Sequence, residues 1–238
     1  LLKMTNYFYS DSIISDIIIL DRVESNHCIN VLRKSKGDTI HVVDGKGNLY
    51  IGEIINANKI QCQIVIKEII KKNKYKENYI HIAISPTKNH DRINWFTEKA
   101  VEIGVNEISF IKCERTLRKK IRIDKLNRIA ITAMKQSLKT YLPKINDMIT
   151  FSDFLNKNEN KIGYICHLEK GNKNSLFSLN LKGNEKFILI GPEGDFSSDE
   201  IELALNRNIY PISLGESRLR TETAGIVACH LLNLKNNE

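Results

Sequence analysis

The sequence has few cysteines, and none lies close enough to another to form a C-x-x-C pair. Its five cysteines are scattered over 238 residues, at Cys28, Cys62, Cys113, Cys166 and Cys229. An odd and scattered set argues against a disulfide framework and against a zinc site. The six histidines also lack the spacing of metal ligands. We therefore expect no bound metal, and buried thiols in a reducing cytoplasm.

Long apolar runs are missing as well. The most apolar early stretch, residues 13–20, is interrupted by Asp16 and has no basic flank or small-residue cleavage site. No run approaches the roughly 20 apolar residues that a membrane-spanning helix needs, and this stretch does not resemble a secretory signal. The sequence therefore predicts a cytoplasmic protein that does not enter a membrane.

Two common nucleotide-binding motifs are absent. No glycine-rich loop is followed by G-K-[ST], as a phosphate-binding loop requires. The best approach to the dinucleotide fingerprint starts at Gly45 and Gly47, but Tyr50 stands where the third glycine belongs. A nucleotide-dependent enzyme of either kind is therefore disfavoured.

Positive charge, by contrast, is abundant and concentrated. The formal net charge is +8, and residues 112–144 hold eleven basic residues against Glu114 and Asp124, which gives this segment alone +9. Such a concentration is typical of proteins that bind a polyanion, because neutralised phosphates release counterions. It favours RNA or DNA binding, although a solvated helix face with a basic loop has the same composition.

The pattern of apolar residues changes along the chain. The first 70 or so residues are mainly β, with strands predicted at 39–43, 49–55 and 59–67. One helix is predicted to run to about Arg33, with Ser25 as its N-terminal cap. Short strands in so small a space suggest a compact barrel. Residues 70–78 are polar and aperiodic, which is typical of a domain boundary.

Strands and helices alternate after this boundary. Strands are predicted at 79–85, 105–111, 163–168, 186–190 and 210–214. Helices are predicted to start at Asp91, Asp124, Ser197 and Thr221, the first of them ending at Gly104. Alternation of this kind indicates a mostly parallel sheet covered by helices, in which ligands bind at the carboxyl ends of the strands.

Two of those strand ends carry residues suited to binding. After residue 190 the chain reads Gly-Pro-Glu-Gly, whose glycines let the backbone approach a ligand closely. After residue 213, Arg218 and Arg220 precede a helix that starts at Thr221, and arginines at a helix N-terminus attract anionic groups. Either segment alone is equally compatible with an ordinary strand-to-helix turn.

Together the two segments carry a resemblance to a known family. The chain resembles the bacterial enzymes that methylate N3 of a uridine in 16S ribosomal RNA of the small subunit, within the SPOUT superfamily. Similar motifs span nearly the whole chain, at residues 27–33 with 37–38, 88–105, 114–116, 190–194 and 214–224. The chain departs from the family pattern at Asn6, Lys135 and Lys139.

The resemblance implies a fold, a cofactor and an assembly. The fold is a PUA-like RNA-binding β-barrel over residues 1–72 and a SPOUT α/β trefoil-knot methyltransferase domain over residues 73–238. The cofactor is S-adenosylmethionine, and the working form is a homodimer. The implied cofactor-binding residues are Ile190, Gly191, Pro192, Glu193, Gly194, Leu214, Gly215, Leu219, Arg220, Thr221, Thr223 and Ala224.

The implied substrate also suggests catalytic roles. Uridine N3 carries a proton at neutral pH, so methylation needs a base or a cation that stabilises the uridine anion. We expect Arg220 to supply the cation and Glu222 or Glu193 to accept the proton. No step needs a metal, because the cofactor's methyl group is already activated. The residues expected to hold the RNA backbone are Arg33, Lys88, Arg92, Arg115 and Lys119.

Two other functions remain open from the sequence. One is a different RNA methyltransferase of the same fold, acting on transfer RNA. The other is a non-catalytic RNA-binding protein that retains the fold, although the intact Gly-Pro-Glu-Gly and Arg-Leu-Arg-Thr-Glu-Thr segments count against it.

Overall fold

Apolar residues form two separate cores, one in each unit of the chain. The computed structural model describes residues 6–71, 79–169, 171, 173–179 and 186–235. One unit holds Leu1–Lys74 with Ile131–Leu142, and the other holds Tyr75–Ala130 with Pro143–Glu238. The domain boundary expected between residues 72 and 73 lies outside the described residues. Residues 131–142 fall in the expected second domain by sequence but group with the first unit in space.

Short strands build the first unit. The strands described are β1 (Tyr7–Tyr9), β2 (Ile13–Ile14), β3 (Ile17–Ile19), β4 (Thr39–Val43), β5 (Asn48–Asn56) and β6 (Gln63–Lys71). They pair in the order β1-β4-β5-β6-β3-β2; β1 and β4 are parallel and the other pairs antiparallel. Register shifts between β5 and β6 bend the strands. The expected barrel is therefore a curled half-barrel, left open between β1 and β2 in the described residues.

The helix of this unit begins earlier than the sequence suggested. The prediction that Ser25 caps it is wrong, because Asp21 accepts a hydrogen bond from the Glu24 backbone N–H at 2.8 Å and caps α1 (Arg22–Asn26). The helix continues as a π-helical turn over His27–Val31. The Asp21 carboxylate therefore caps the helix, in place of the Ser25 hydroxyl four residues later.

The strand predicted over residues 59–67 also begins later, at Gln63. The Asn58 side-chain oxygen accepts hydrogen bonds from the backbone N–H groups of Ile60 and Gln61, at 2.8 and 3.2 Å. This Asx-type turn uses the N–H groups that a strand ladder would need. The alternation of apolar residues predicted the strand correctly from Gln63 onward, but Ile60 lies in the turn and is exposed.

The second unit is a parallel sheet. Its strands are β7 (Ile80–Ile84), β8 (Glu107–Lys112), β9 (Lys144–Thr150), β10 (Ile162–Cys166), β11 (Asn174–Ser175), β12 (Lys186–Ile190) and β13 (Tyr210–Ser213). They pair in the order β11-β13-β10-β12-β7-β8-β9, and every described pair is parallel. Every residue of β7 and β12 is buried, as expected of central strands covered on both faces. The predicted parallel α/β architecture is confirmed.

Helices connect these strands. They are α2 (His90–Ile103), α3 (Ile123–Gln136), α4 (Phe151–Lys157), α5 (Ser198–Leu205) and α6 (Thr221–Lys235), and a short 3-10 turn covers Leu176–Ser178. The capping box at Ser197 is confirmed, and so is the end of α2 at Gly104, which has a left-handed φ of 118°. The cap predicted at Asp91 is wrong, because the Asn89 side chain accepts from the Asp91 N–H.

The core of this unit is aromatic where helices cross the sheet. Phe154 and Phe187 pack edge to face, with ring centroids 5.1 Å apart. A Cβ atom on Gly225 would lie 2.6 Å from the Phe96 ring, so glycine lets α6 lie directly against α2. No helix in the described part of the chain is both long and apolar enough to cross a membrane.

Lys135, where the chain departs from the family pattern, forms an ion pair with Glu24. The Lys135 ammonium contacts the Glu24 carboxylate, and both side chains are largely buried, at 18% and 8% exposure. The other Glu24 oxygen accepts a hydrogen bond from the Tyr9 backbone N–H at 3.2 Å. The lysine therefore neutralises a buried carboxylate that orders β1.

We expect Lys135→Met to lower the free energy of unfolding by about 3 kcal/mol, because breaking a buried pair leaves a charge without its partner. Urea denaturation of the two proteins measures the difference. The double variant Lys135→Met/Glu24→Gln is the control and should recover part of the loss. Equal stability of wild type and Lys135→Met would show that the pair contributes nothing.

Candidate active site

The two segments predicted to bind a ligand follow β12 and β13, the strands on either side of β10. β10 pairs with β12 on one side and with β13 on the other. The last residue of β10, Cys166, lies opposite Ile190 of β12 and Ile212 of β13. The 191–196 loop and the 214–220 loop therefore leave the same edge of the sheet, on either side of β10.

A hydrogen bond joins the 191–196 loop to the start of α6, directly after the 214–220 loop. Thr221 Oγ1 donates to the Gly191 carbonyl at 3.0 Å, and both Thr221 and Gly191 are buried. A side chain at Gly191 would press on the Phe196 ring, because its Cβ would lie 3.0 Å from two ring atoms. The family resemblance implies that the 190–194 and 214–224 segments bind one ligand. The bond between Thr221 and Gly191 brings these two segments into contact.

Arg115 holds the far end of the 191–196 loop. Its Nη1 donates to the Gly194 carbonyl at 2.8 Å and to the Phe196 carbonyl at 3.2 Å. Thr116 supports this arrangement, since its hydroxyl accepts from the Cys113 N–H and bonds to Ser85 Oγ, each at 2.8 Å. The loops that follow β7, β8 and β12 are thus bonded to one another.

The two candidate proton acceptors have different surroundings. Glu193 is exposed, and its Oε1 accepts from the Lys88 backbone N–H at 2.9 Å. Glu222 is buried in the first turn of α6, with Oε1 at 3.6 Å from Arg92 Nε. Its Oε2 is also buried and has no hydrogen-bond partner among the described residues. A buried carboxylate oxygen without a donor is costly unless a ligand satisfies it.

The other predicted cofactor residues lie along the same two segments. Ile190 and Pro192 are buried, whereas Gly194 is exposed at the turn. Arg220 and Gly215 are exposed. The remaining predicted residues are half-buried; they are Leu214, Leu219, Thr223 and Ala224.

His167 is a polar residue at this edge that sequence reasoning missed. It directly follows Cys166, the last residue of β10, which lies opposite Ile190 and Ile212 on the neighbouring strands. Both of its ring nitrogens are buried without a hydrogen-bond partner among the described residues. Burial, together with the nearby Lys173, lowers the pKa of His167, so the neutral ring has one donor and one acceptor nitrogen. The sequence signal that could have found it is the strand predicted over residues 163–168, because His167 lies near the carboxyl end of that strand, where ligands bind in such folds.

The cysteines near this edge are unsuited to nucleophilic chemistry. Burial raises the pKa of the Cys166 thiol to about 12, and burial also raises the pKa of Cys113. A thiol acts as a nucleophile only when ionised. Among the described residues, no group of three histidine, cysteine, aspartate or glutamate side chains is placed to hold a metal ion.

The residues expected to hold RNA are spread over both units. Arg33 lies in the first unit, exposed and with a left-handed φ of 54°. Lys88, Arg92, Arg115 and Lys119 all belong to the second unit. Of these, Arg92 pairs with Glu222 and Arg115 bonds to the 191–196 loop, so both are tied to the edge where the loops meet.

The fold and the site together define a class of protein. Residues 74–233 match the model of the RNA methyltransferase domain family, and residues 20–67 match that of the RNA methyltransferase PUA domain. The chain is thus an RNA methyltransferase of the SPOUT type with a PUA domain in front.

Relatives narrow this class to one family. The small-subunit ribosomal RNA methyltransferase E of Rickettsia conorii is 31% identical over 200 residues, which are 83% of this chain and 81% of the relative. The crystal structure of a probable rRNA methyltransferase from Porphyromonas gingivalis has a TM-score of 0.91 at 38% identity and covers 98% of both chains. The methyltransferase E of Neisseria gonorrhoeae, bound to S-adenosyl methionine, has a TM-score of 0.83 at 25% identity over 94% of this chain and 95% of that one. The chain belongs to the family of small-subunit ribosomal RNA methyltransferases E.

Proposed function

We propose that this chain transfers a methyl group from S-adenosylmethionine to N3 of a uridine in the 16S ribosomal RNA of the small subunit. The observation that carries the proposal is that the 191–196 loop is bonded to the start of α6 at one sheet edge, where Glu222 and His167 bury polar atoms that have no partner among the described residues. The relatives support it, since they are named for methylation of small-subunit ribosomal RNA.

The residues at this edge fit the cofactor. S-adenosylmethionine is a cationic ligand with an adenine ring, so it offers positive charge as well as hydrogen-bond donors and acceptors. Neutral His167 has one donor and one acceptor nitrogen, both buried, for a polar group of the cofactor, and Glu222 Oε2 stays available for the substrate. The 191–196 and 214–220 loops supply backbone N–H and C=O groups on either side.

Proton removal is the task left to the protein. Bound S-adenosylmethionine supplies an activated methyl group, and its S–CH3 bond breaks as the N3–CH3 bond forms. We assign the N3 proton to Glu222 Oε2, because Glu193 is exposed and already accepts from Lys88. Arg92 stays beside Glu222 and compensates its negative charge. Arg220 precedes the helix and stabilises the uridine anion as the proton leaves.

The substrate must expose its Watson–Crick edge, because N3 is hidden in a base pair. Arg33, Lys88 and Lys119 are the proposed contacts to the RNA backbone, with Arg92 and Arg115 close to the reacting base. Contacts of this kind make binding strongly dependent on salt. We further propose that the protein acts in the cytoplasm as a homodimer, so sedimentation should give twice the chain mass of 27.3 kDa.

Methyl transfer to unmodified small ribosomal subunits tests the proposal. Labelled S-adenosylmethionine supplies the methyl group, and mass spectrometry identifies the product nucleoside. We expect N3-methyluridine in the ribosomal RNA. If another nucleoside is methylated, or if only tRNA accepts the methyl group, the proposed substrate is wrong but the protein is still an RNA methyltransferase. Failure to bind the cofactor would favour a non-catalytic RNA-binding protein.

A further inference from the structure

A cavity of about 410 Å³ lies in the second unit, between the start of α2 and the segment that leads into α3. Residues 88–91, 93 and 94 form one wall, and residues 118, 121, 122, 125 and 126 form the other. Its volume is in the range of pockets that hold a small ligand or a nucleotide. None of the proposed cofactor-binding residues lines it.

The walls of the cavity are strongly basic. Lys88, Arg118, Arg122 and Lys125 line it, and Asp91 is the one carboxylate among its lining residues. Burial, together with the neighbouring Arg118, Lys125 and Arg122, lowers the pKa of His90, whose ring also faces the cavity. Such an excess of cations attracts an anionic ligand, and the N-terminus of the 14-residue helix α2 adds to the same potential.

Arg118 gives the cavity a fixed shape. Its Nε donates to the Thr87 carbonyl at 2.9 Å, and its other nitrogens contact the Lys88 carbonyl and the His90 ring. These contacts tie the two walls together and hold the Arg118 guanidinium in place. Ile93 and Leu126, both buried, give the cavity an apolar floor that suits a base or a ribose.

Lys88 connects the cavity to the active site. Its side chain lines the cavity, while its backbone N–H donates to Glu193 Oε1 in the 191–196 loop at 2.9 Å. Lys88 therefore contacts both the cavity and the loop proposed to bind the cofactor.

We propose that this cavity binds a phosphate of the RNA strand that carries the target uridine, with the adjoining nucleoside on the apolar floor. The proposal rests on the proposed function and names the part of the substrate that the second unit holds. Arg122 and Lys125 contact the phosphate, and Arg118 keeps the cavity in shape.

The test compares two double variants that remove the same charge. Arg122→Ala/Lys125→Ala empties the cavity of two cations, and Lys112→Ala/Lys120→Ala removes two exposed lysines of the same basic segment outside it. Filter binding of unmodified small subunits over a range of salt concentrations gives the affinity and its salt slope. We expect the cavity variant to bind roughly tenfold more weakly, with a slope smaller by about 1 because one phosphate loses its partners, and the control to change far less. Equal losses in both variants would overturn the proposal.

A second measurement uses the wild-type protein and does not depend on the variants. The His90 ring, followed by NMR, should titrate at higher pH when oligouridylate is bound, because a phosphate replaces part of the surrounding positive charge with negative charge. Inorganic phosphate at the same concentration should shift it less. An unchanged His90 titration with RNA bound would also overturn the proposal. Neither measurement uses turnover, and calorimetric binding of S-adenosylmethionine tests the proposed function separately.

Discussion

Replacing Glu222 with glutamine should slow methyl transfer by about two to four orders of magnitude, the usual contribution of a general base. The change keeps the shape of a buried side chain whose Oε2 has no partner among the described residues and whose Oε1 lies 3.6 Å from Arg92. It removes the group that accepts the N3 proton. Single-turnover assays with saturating RNA and cofactor measure this step directly.

Glu193→Gln is the matched control for this prediction. Glu193 is exposed and receives the Lys88 N–H, so its loss should alter turnover by much less than the loss of Glu222. Calorimetry with S-adenosylmethionine separates a chemical role from a binding role. If Glu222→Gln keeps full turnover while Glu193→Gln loses it, the two assignments must be exchanged. If Glu222→Gln loses cofactor affinity in proportion to turnover, Glu222 binds the cofactor's positive charge instead.

Replacing His167 with leucine should weaken the binding of S-adenosylmethionine by about tenfold, or about 1.4 kcal/mol. Both ring nitrogens are buried without a partner among the described residues, and His167 directly follows β10, which lies between the strands that lead into the two loops. The free protein gains nothing from this polarity, so the free energy of unfolding without ligand should stay unchanged or rise by up to about 1 kcal/mol. Loss of affinity without loss of stability would identify a ligand-facing residue.

His81→Leu provides the contrast, because His81 is also a buried histidine of the same sheet. Its Nε2 bonds to Ser109 Oγ at 2.8 Å, and its Nδ1 lies 3.8 Å from Glu107 Oε2. This substitution should cost about 1 to 3 kcal/mol of stability and leave cofactor affinity unchanged. Wild-type affinity in His167→Leu would mean that the ring does not face the cofactor.

Local sequence signals predicted the central elements well. β12 spans Lys186–Ile190, as its continuous apolar run indicated, because a strand buried on both faces has no polar alternation to blur its ends. The capping box at Ser197 and the glycine after α2 also hold, since each is a bond or a dihedral angle set by residues a few positions apart.

The elements that were missed have weaker local signals. β9 (Lys144–Thr150) lies at the edge of its sheet with half-buried and exposed residues, and no sequence period marked it. α4 (Phe151–Lys157) has only seven residues, and its apolar Phe151, Phe154 and Leu155 pack on the core. In both cases tertiary packing supplies the stability that local preference lacks.

By itself the sequence determined the family, the two-part organisation and the two segments that form the candidate site, because these depend on residues that are close together along the chain. Only the tertiary structure decided which partners those residues meet. Glu24 pairs with Lys135, Thr221 bonds to Gly191, and Lys88 and Arg122 line one basic cavity. These pairings join residues far apart in sequence, so strand order and packing create them and no local pattern encodes them.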